Sequence, residues 1–147
     1  MNETTSFSGI MDFDLAYEQR YAKVWSNAER KILICELLSD YVPIEDFQEA
    51  FGEIGNLVKK GDYTKFIFDK RALRAFHQPT MEWYFIHWKK EMLGYGLKTH
   101  RKILPEEKWF EKMVQIAKAQ ILTQYPDNII DQLDIAYCDT IEEAVLT

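Results

Sequence analysis

Residues 64–93, TKFIFDKRALRAFHQPTMEWYFIHWKKEML, constrain the fold of this chain more than any other stretch. A short β-rich apolar run, 64–69, leads into a basic loop, 70–78, and then into a helix opened by Pro79. Proline suits the first helical turn, where its φ is already correct and its missing N–H has no partner to lose. Met81, Tyr84 or Phe85, Trp88 and Met92 then recur at helical spacing and predict one buried stripe. A strand that feeds a helix through a loop is where α/β proteins carry binding and catalytic groups.

The same grammar recurs along the chain. Pro43 opens a helix with Glu45 and Asp46 at its positive end, and Ile44, Phe47, Phe51, Ile54 and Val58 form its stripe. That helix is expected to run to Lys60 and stop at Gly61. Pro105-Glu106-Glu107 repeats the opening, and Phe110, Met113, Val114, Ala117 and Ile121 supply a core face. Thr140-Ile141-Glu142-Glu143 has the spacing of a capping box and predicts a short closing helix.

Strands are expected at 17–25, 31–38, 64–69, 98–104 and 133–137. The first two, joined by Ser26-Asn27-Ala28-Glu29, read as an antiparallel hairpin. Residues 1–14 are polar and without period, which predicts a flexible N-terminal arm before a single domain at 15–147. The order β-β-α-β-α-β-α-β-α predicts an α/β fold. Its five-stranded mixed sheet would begin with the hairpin, continue through right-handed parallel β-α units, and carry helices mainly on one face. Lys65, Asp69, His100, Lys102 and Asp134 interrupt strands that would read as wholly apolar if both faces were covered. The barer face, bearing Tyr17, Tyr21 and Trp25, is expected to suit a homodimer contact or an apolar ligand.

Composition narrows the function classes. The 147 residues are 47% hydrophobic, enough for a core, and the formal net charge is −6. An acidic surface repels phosphate backbones, so general nucleic-acid binding and anionic membrane surfaces are disfavoured. No apolar run approaches the ~20 residues of a membrane span, and the first residues lack a signal-peptide pattern. Cys35 and Cys138 sit in apolar stretches, as expected of buried thiols in a reducing, cytoplasmic setting. Three histidines and no CxxC pair argue against a metal site. The glycine-rich nucleotide loops are missing, as are HExxH, EF-hand and GxSxG patterns, so no cofactor is expected.

The strand ending KFIFD at Asp69, the closing IAYCDTIEEAV and the element order together resemble a STAS domain, the SpoIIAA-like fold of anti-sigma-factor antagonists. More narrowly, the chain is similar to bacterial STAS-like proteins of about this length, over roughly residues 17–146. The resemblance implies a non-catalytic regulatory module that works through a protein partner. It also implies a phosphorylatable serine, within Asp-Ser-Ser-Gly, at the start of the helix after the third strand. Here that stretch reads DKRALRAFHQPT, and Thr80 is the hydroxyl nearest the helix start. The chain departs from the family pattern where the switch would be.

The candidate contact site is therefore Asp69, Lys70, Arg71, Arg74, His77, Thr80 and Trp83. Thr80 would be a phosphoacceptor near Lys70, Arg71 and Arg74, against the ordinary reading of a first-turn threonine. His77 with Asp69 would make an oriented general base, but no nucleophile or oxyanion turn accompanies them, which ranks an enzyme last. Lys70, Arg71 and Arg74 would hold an acidic partner or a phosphate, against the ordinary reading of a solvated loop. Lys89-Lys90 and His100-Arg101-Lys102 are expected to be solvated likewise. Trp83 stands off the buried stripe, so it either packs beneath the loop or lines a partner surface. A small apolar ligand such as a lipid, held between sheet and aromatic helix, is the alternative occupant.

Overall fold

The strands of this protein are laid down side by side in the order in which the chain makes them. A computed structural model describes residues 3–7, 9 and 11–147, and among these seven strands form one sheet ordered β1 to β7. They are β1 (Thr4–Phe7), β2 (Met11–Glu18), β3 (Ala22–Asn27), β4 (Ile32–Leu37), β5 (Lys65–Asp69), β6 (Thr99–Ile103) and β7 (Asp134–Tyr137). Neighbours β1 to β4 are antiparallel, whereas β4 to β7 are parallel and joined by helical crossovers.

The mixed α/β architecture agrees with the sequence, but the sheet has seven strands and not five. The described residues of the expected arm are largely strand, in β1 and the first half of β2; residues 1, 2, 8 and 10 lie outside those described. Run 17–25 is not one strand, because Gln19 N donates to the Ala22 carbonyl across a tight turn. A β-bulge between Leu15 and Tyr17 then shifts the register of β2 on β3. The extra residue turns Leu15 to one face and Tyr17 to the other. Tyr17 and Tyr21 therefore pack on one side of the sheet and Trp25 on the other, so they do not form the shared surface the alternation implies.

α1 (Ile44–Lys60), a long helix built from α2 (Gln78–Glu82), a π-helical segment Trp83–Trp88 and α3 (Lys89–Leu93), and α4 (Lys108–Gln124) carry the three crossovers. Successive strands always add on the same side, so crossovers of one hand must all lie over the same face. Phe47, Phe51, Ile54, Met81, Tyr84, Trp88, Phe110 and Val114 accordingly join Leu33, Cys35, Phe66 and Phe68 in one core. α5 (Ile141–Leu146) covers the other face with Ile141, Ala144 and Val145 against Ile67 and Ile103. There Phe7 meets Phe13 and Trp25 edge-on at 5.4 and 6.2 Å, so the face expected to be bare is partly closed by the curled N-terminal strands.

Local details separate the motifs that held from those that did not. Thr140 Oγ1 accepts from Glu143 N, and Glu143 Oε2 accepts from Asp139 N, which fulfils the capping role. Gly61 ends α1 in an extended conformation. Pro105 is buried before its helix and not within it: α4 begins at Lys108, with Glu107 as N-cap. Met113 is exposed because Phe110, Val114, Ala117 and Ile121 already complete the buried stripe of α4. No helix among the described residues is long and apolar enough to cross a membrane.

Candidate functional site

Parallel strands end at a common edge, and the loops leaving that edge enclose a pocket. Leu37 at the end of β4, Phe68 and Lys70 at the end of β5, and Val42, Phe47, Phe76, Met81, Tyr84 and Phe110 from the surrounding loops and helices line it. It encloses about 70 Å³ and is mostly apolar. Backbone hydrogen bonds hold its loop: Lys70 N donates to Ile103 O, and Arg74 N donates to Asp40 O.

The seven candidate residues divide between the two sides of this edge. Lys70, His77 and Thr80 all line the pocket. The Lys70 side chain is buried, its ammonium stands 5.2 Å from the Phe68 ring centroid, and it makes no ion pair among the described residues. Burial alone lowers its pKa to about 8. His77 Nδ1 lies 2.8 Å from Thr80 Oγ1 and accepts from Thr80 N, so it caps α2. Thr80 is thereby held by a neighbour and is half-buried.

Asp69 points the other way. Alternation along β5 places it with Lys65 and Ile67 on the α5 side, where its carboxylate accepts from Arg71 N, Nε and Nη2 at 3.1, 2.9 and 2.7 Å. Its hydrogen bonds go to Arg71 and those of His77 go to Thr80, so the pair proposed as an oriented base is not assembled. Arg74 is spent within the loop as well, donating to the carbonyls of Arg71 and Leu73 and pairing with Glu107 at 3.0 Å. Of the basic trio, Lys70 has no hydrogen-bond or ion-pair partner among the described residues. Trp83 meets Phe47 of α1 edge-on at 6.1 Å and lines a groove beside Gln48, His87 and Met92, so it packs against α1 and not beneath the loop.

The larger departure concerns groups expected to be solvated. Lys89, His100, Arg101 and Lys102 are all buried, although Lys90 is exposed as expected. Arg101 is satisfied: it holds Asp134 through both terminal nitrogens and donates to the carbonyl of Thr147. Lys89, His100 and Lys102 are not. Among the described residues the two amines have only each other as hydrogen-bond partners, His100 has no closer polar contact than a loose approach to the Leu97 backbone, and the buried Tyr84 hydroxyl has no partner. Burial, followed by the neighbouring amines, lowers the pKa of Lys102 and His100 well below their usual values. Among the described residues no group of three or more His, Cys, Asp or Glu side chains is arranged to hold a metal ion.

Two signals in the sequence point to this cluster. His100 and Lys102 alternate with Arg101 along β6, so they share a face, and the α crossovers cover that face. Lys89 follows Phe85 by four residues and so lies on the buried side of the helix. Comparison of the chain with protein-family models, curated proteins and solved structures gives no match.

Proposed function

We propose that this chain is a non-catalytic regulatory module of STAS-like type that recognises a protein partner at the pocket edge. The observation that carries the reading is Lys70, a largely buried side chain in the wall of a small apolar pocket whose ammonium has no ion pair among the described residues. A charge so placed is costly until a partner brings the opposite one. The pocket's 70 Å³ suits the tip of one aliphatic or aromatic side chain. The complementary occupant is a partner segment presenting an apolar anchor beside a carboxylate, the arrangement by which a few residues dominate an interface. Sequential β-α units with their crossovers over one face support the STAS-like kinship. A cytoplasmic location and homodimerisation belong to the same proposal.

Selection of displayed peptides against the full chain tests it. Enriched peptides should pair Leu, Phe or Met with Asp, Glu or a free carboxylate. Their affinity should fall tenfold or more in Lys70→Met and in Met81→Trp, which fills the pocket. No enrichment, or binding indifferent to both substitutions, would overturn the reading.

Phe47, Phe68, Phe76 and Phe110 in the lining favour a second reading, a carrier of a small apolar ligand. A cavity of roughly 150 Å³ holds one benzene-sized guest, so a pocket of about 70 Å³ admits a fragment and not a lipid chain. Native mass spectrometry reads this directly, since a carried ligand adds mass.

A further inference from the structure

Tyr84 belongs to the pocket wall and also to the cluster of unpartnered groups. Lys89 Nζ lies 4.2 Å from the Phe85 ring centroid and 4.8 Å from that of Tyr84. Lys102 Nζ, from the facing strand, lies 4.0 and 5.3 Å from the same two centroids. Two amines from different elements thus share one aromatic enclosure. Lys70 from the loop after β5 and Lys118 from α4 add positive charge, while His100, Tyr84 and Tyr137 supply the other polar surroundings. Among the described residues no carboxylate acts on either amine, although the chain carries 24 acidic residues.

Apart from each other, the two amines lack two things at once: acceptors for their protons and negative charge to balance them. Ring faces answer the second need in part and the first not at all. Alone, the pair holds at most one proton comfortably, because two adjacent ammonium groups repel in a low dielectric. The helical wall of the enclosure is the π-helical segment Trp83–Trp88, a conformation found mostly as short bulges and often at functional sites. There Tyr84, Phe85 and Trp88, with Lys89 next in sequence, all turn inward.

We propose that Lys89 and Lys102 form a buried site for a small carboxylate or inorganic oxyanion, enclosed by Tyr84 and Phe85 between the π-helical segment and β6. The anion accepts from both amines and lets both carry protons, so binding takes up protons from solution. The Tyr84 hydroxyl and the His100 ring border the site. It stands apart from the pocket reading: Lys70→Met should weaken peptide recognition tenfold or more and leave the anion response saturable.

Inorganic phosphate, sulfate and formate are titrated into the full chain at constant ionic strength near pH 7.5. Melting is followed by calorimetry, and proton uptake by titration in buffers of different ionisation enthalpy. One of the probes should saturate, raise Tm by roughly 5–10 °C at a hundredfold excess over its Kd, and take up protons. Lys89→Met with Lys102→Met should remove the response. Should that double variant not fold, side-chain amine resonances of the ¹⁵N-lysine-labelled native chain give the answer. Movement of the Lys89 and Lys102 signals with the probe sustains the site. A Tm that follows ionic strength alone, a response that survives the double substitution, or amine signals that do not move would overturn it.

Discussion

Lys89 in α3 and Lys102 in β6 direct their amines at the same ring, with Nζ atoms 4.2 and 4.0 Å from the Phe85 centroid. Helix and strand each deliver an amine to one enclosure in which, among the described residues, no carboxylate acts on either. This juxtaposition governs how the fold should respond to pH and to substitution.

Burial, above all, lowers the pKa of Lys89 to about 7 and that of Lys70 to about 8, from 10.5 in the open chain. Between the folded and unfolded values the unfolded chain binds more protons, so stability rises with pH. From pH 7 to about 8, below the midpoints of ordinary thiols and phenols, the urea midpoint should climb. Above that, the Cys35 thiol and Tyr84 phenol, whose pKa values burial raises, act in the opposite sense. Lys89→Met should flatten the climb. A midpoint level across this window in the native chain would contradict the burial of these amines.

In the absence of bound anion, Lys89→Met and Lys102→Met should each stabilise the fold at pH 7, by about 1 kcal/mol or more. Methionine keeps most of the volume and removes an uncompensated buried amine, a replacement that is often favourable. Denaturant unfolding of the two variants decides this, and a loss of stability in both would show that the amines have partners.

Trp88 joins α1 to the sheet: its Nε1 donates to Phe51 O at 2.8 Å, and its ring meets Phe51 and Phe66 at 4.9 and 5.2 Å. Trp88→Ala should cost about 3–5 kcal/mol, from the lost contacts and the cavity left behind. Thermal and urea unfolding measure it.

Asp69→Asn should act as a structural substitution at the loop and leave the pocket's ligands unchanged. Asp69 is buried, but its partner Arg71 is about half exposed, so the loss should be modest, about 1 kcal/mol. Hydrogen exchange at the Arg71 amide, which donates to Asp69 Oδ1, should quicken. Peptide affinity at the pocket should stay within about threefold, because the carboxylate faces α5.

Much of the fold was legible because its signals are local. The stripe of α1, the apolar runs of β4 and β5, the aromatic helix and the Thr140 cap each depend on spacing within a few residues. The position of the pocket, where β5 gives way to Lys70 and then to the helix, follows from the same pattern. The turn after Glu18 was harder to find, since Tyr17, Tyr21 and Trp25 keep a regular two-residue alternation through it. A bulge and a turn break that register without a glycine or proline to mark them.

What the sequence determined by itself was which residues share a face: His100 with Lys102, Phe85 with Lys89, Asp69 with Ile67. Tertiary structure alone decided what covers each face. It turned Asp69 toward Arg71 and away from His77, left Lys70 unpaired in the pocket, and closed Lys89 and Lys102 into one enclosure. Periodicity is set by backbone geometry over a few residues, whereas burial is set by surfaces that meet across the fold. A lysine on an inward face therefore reads like any other until its neighbours are known.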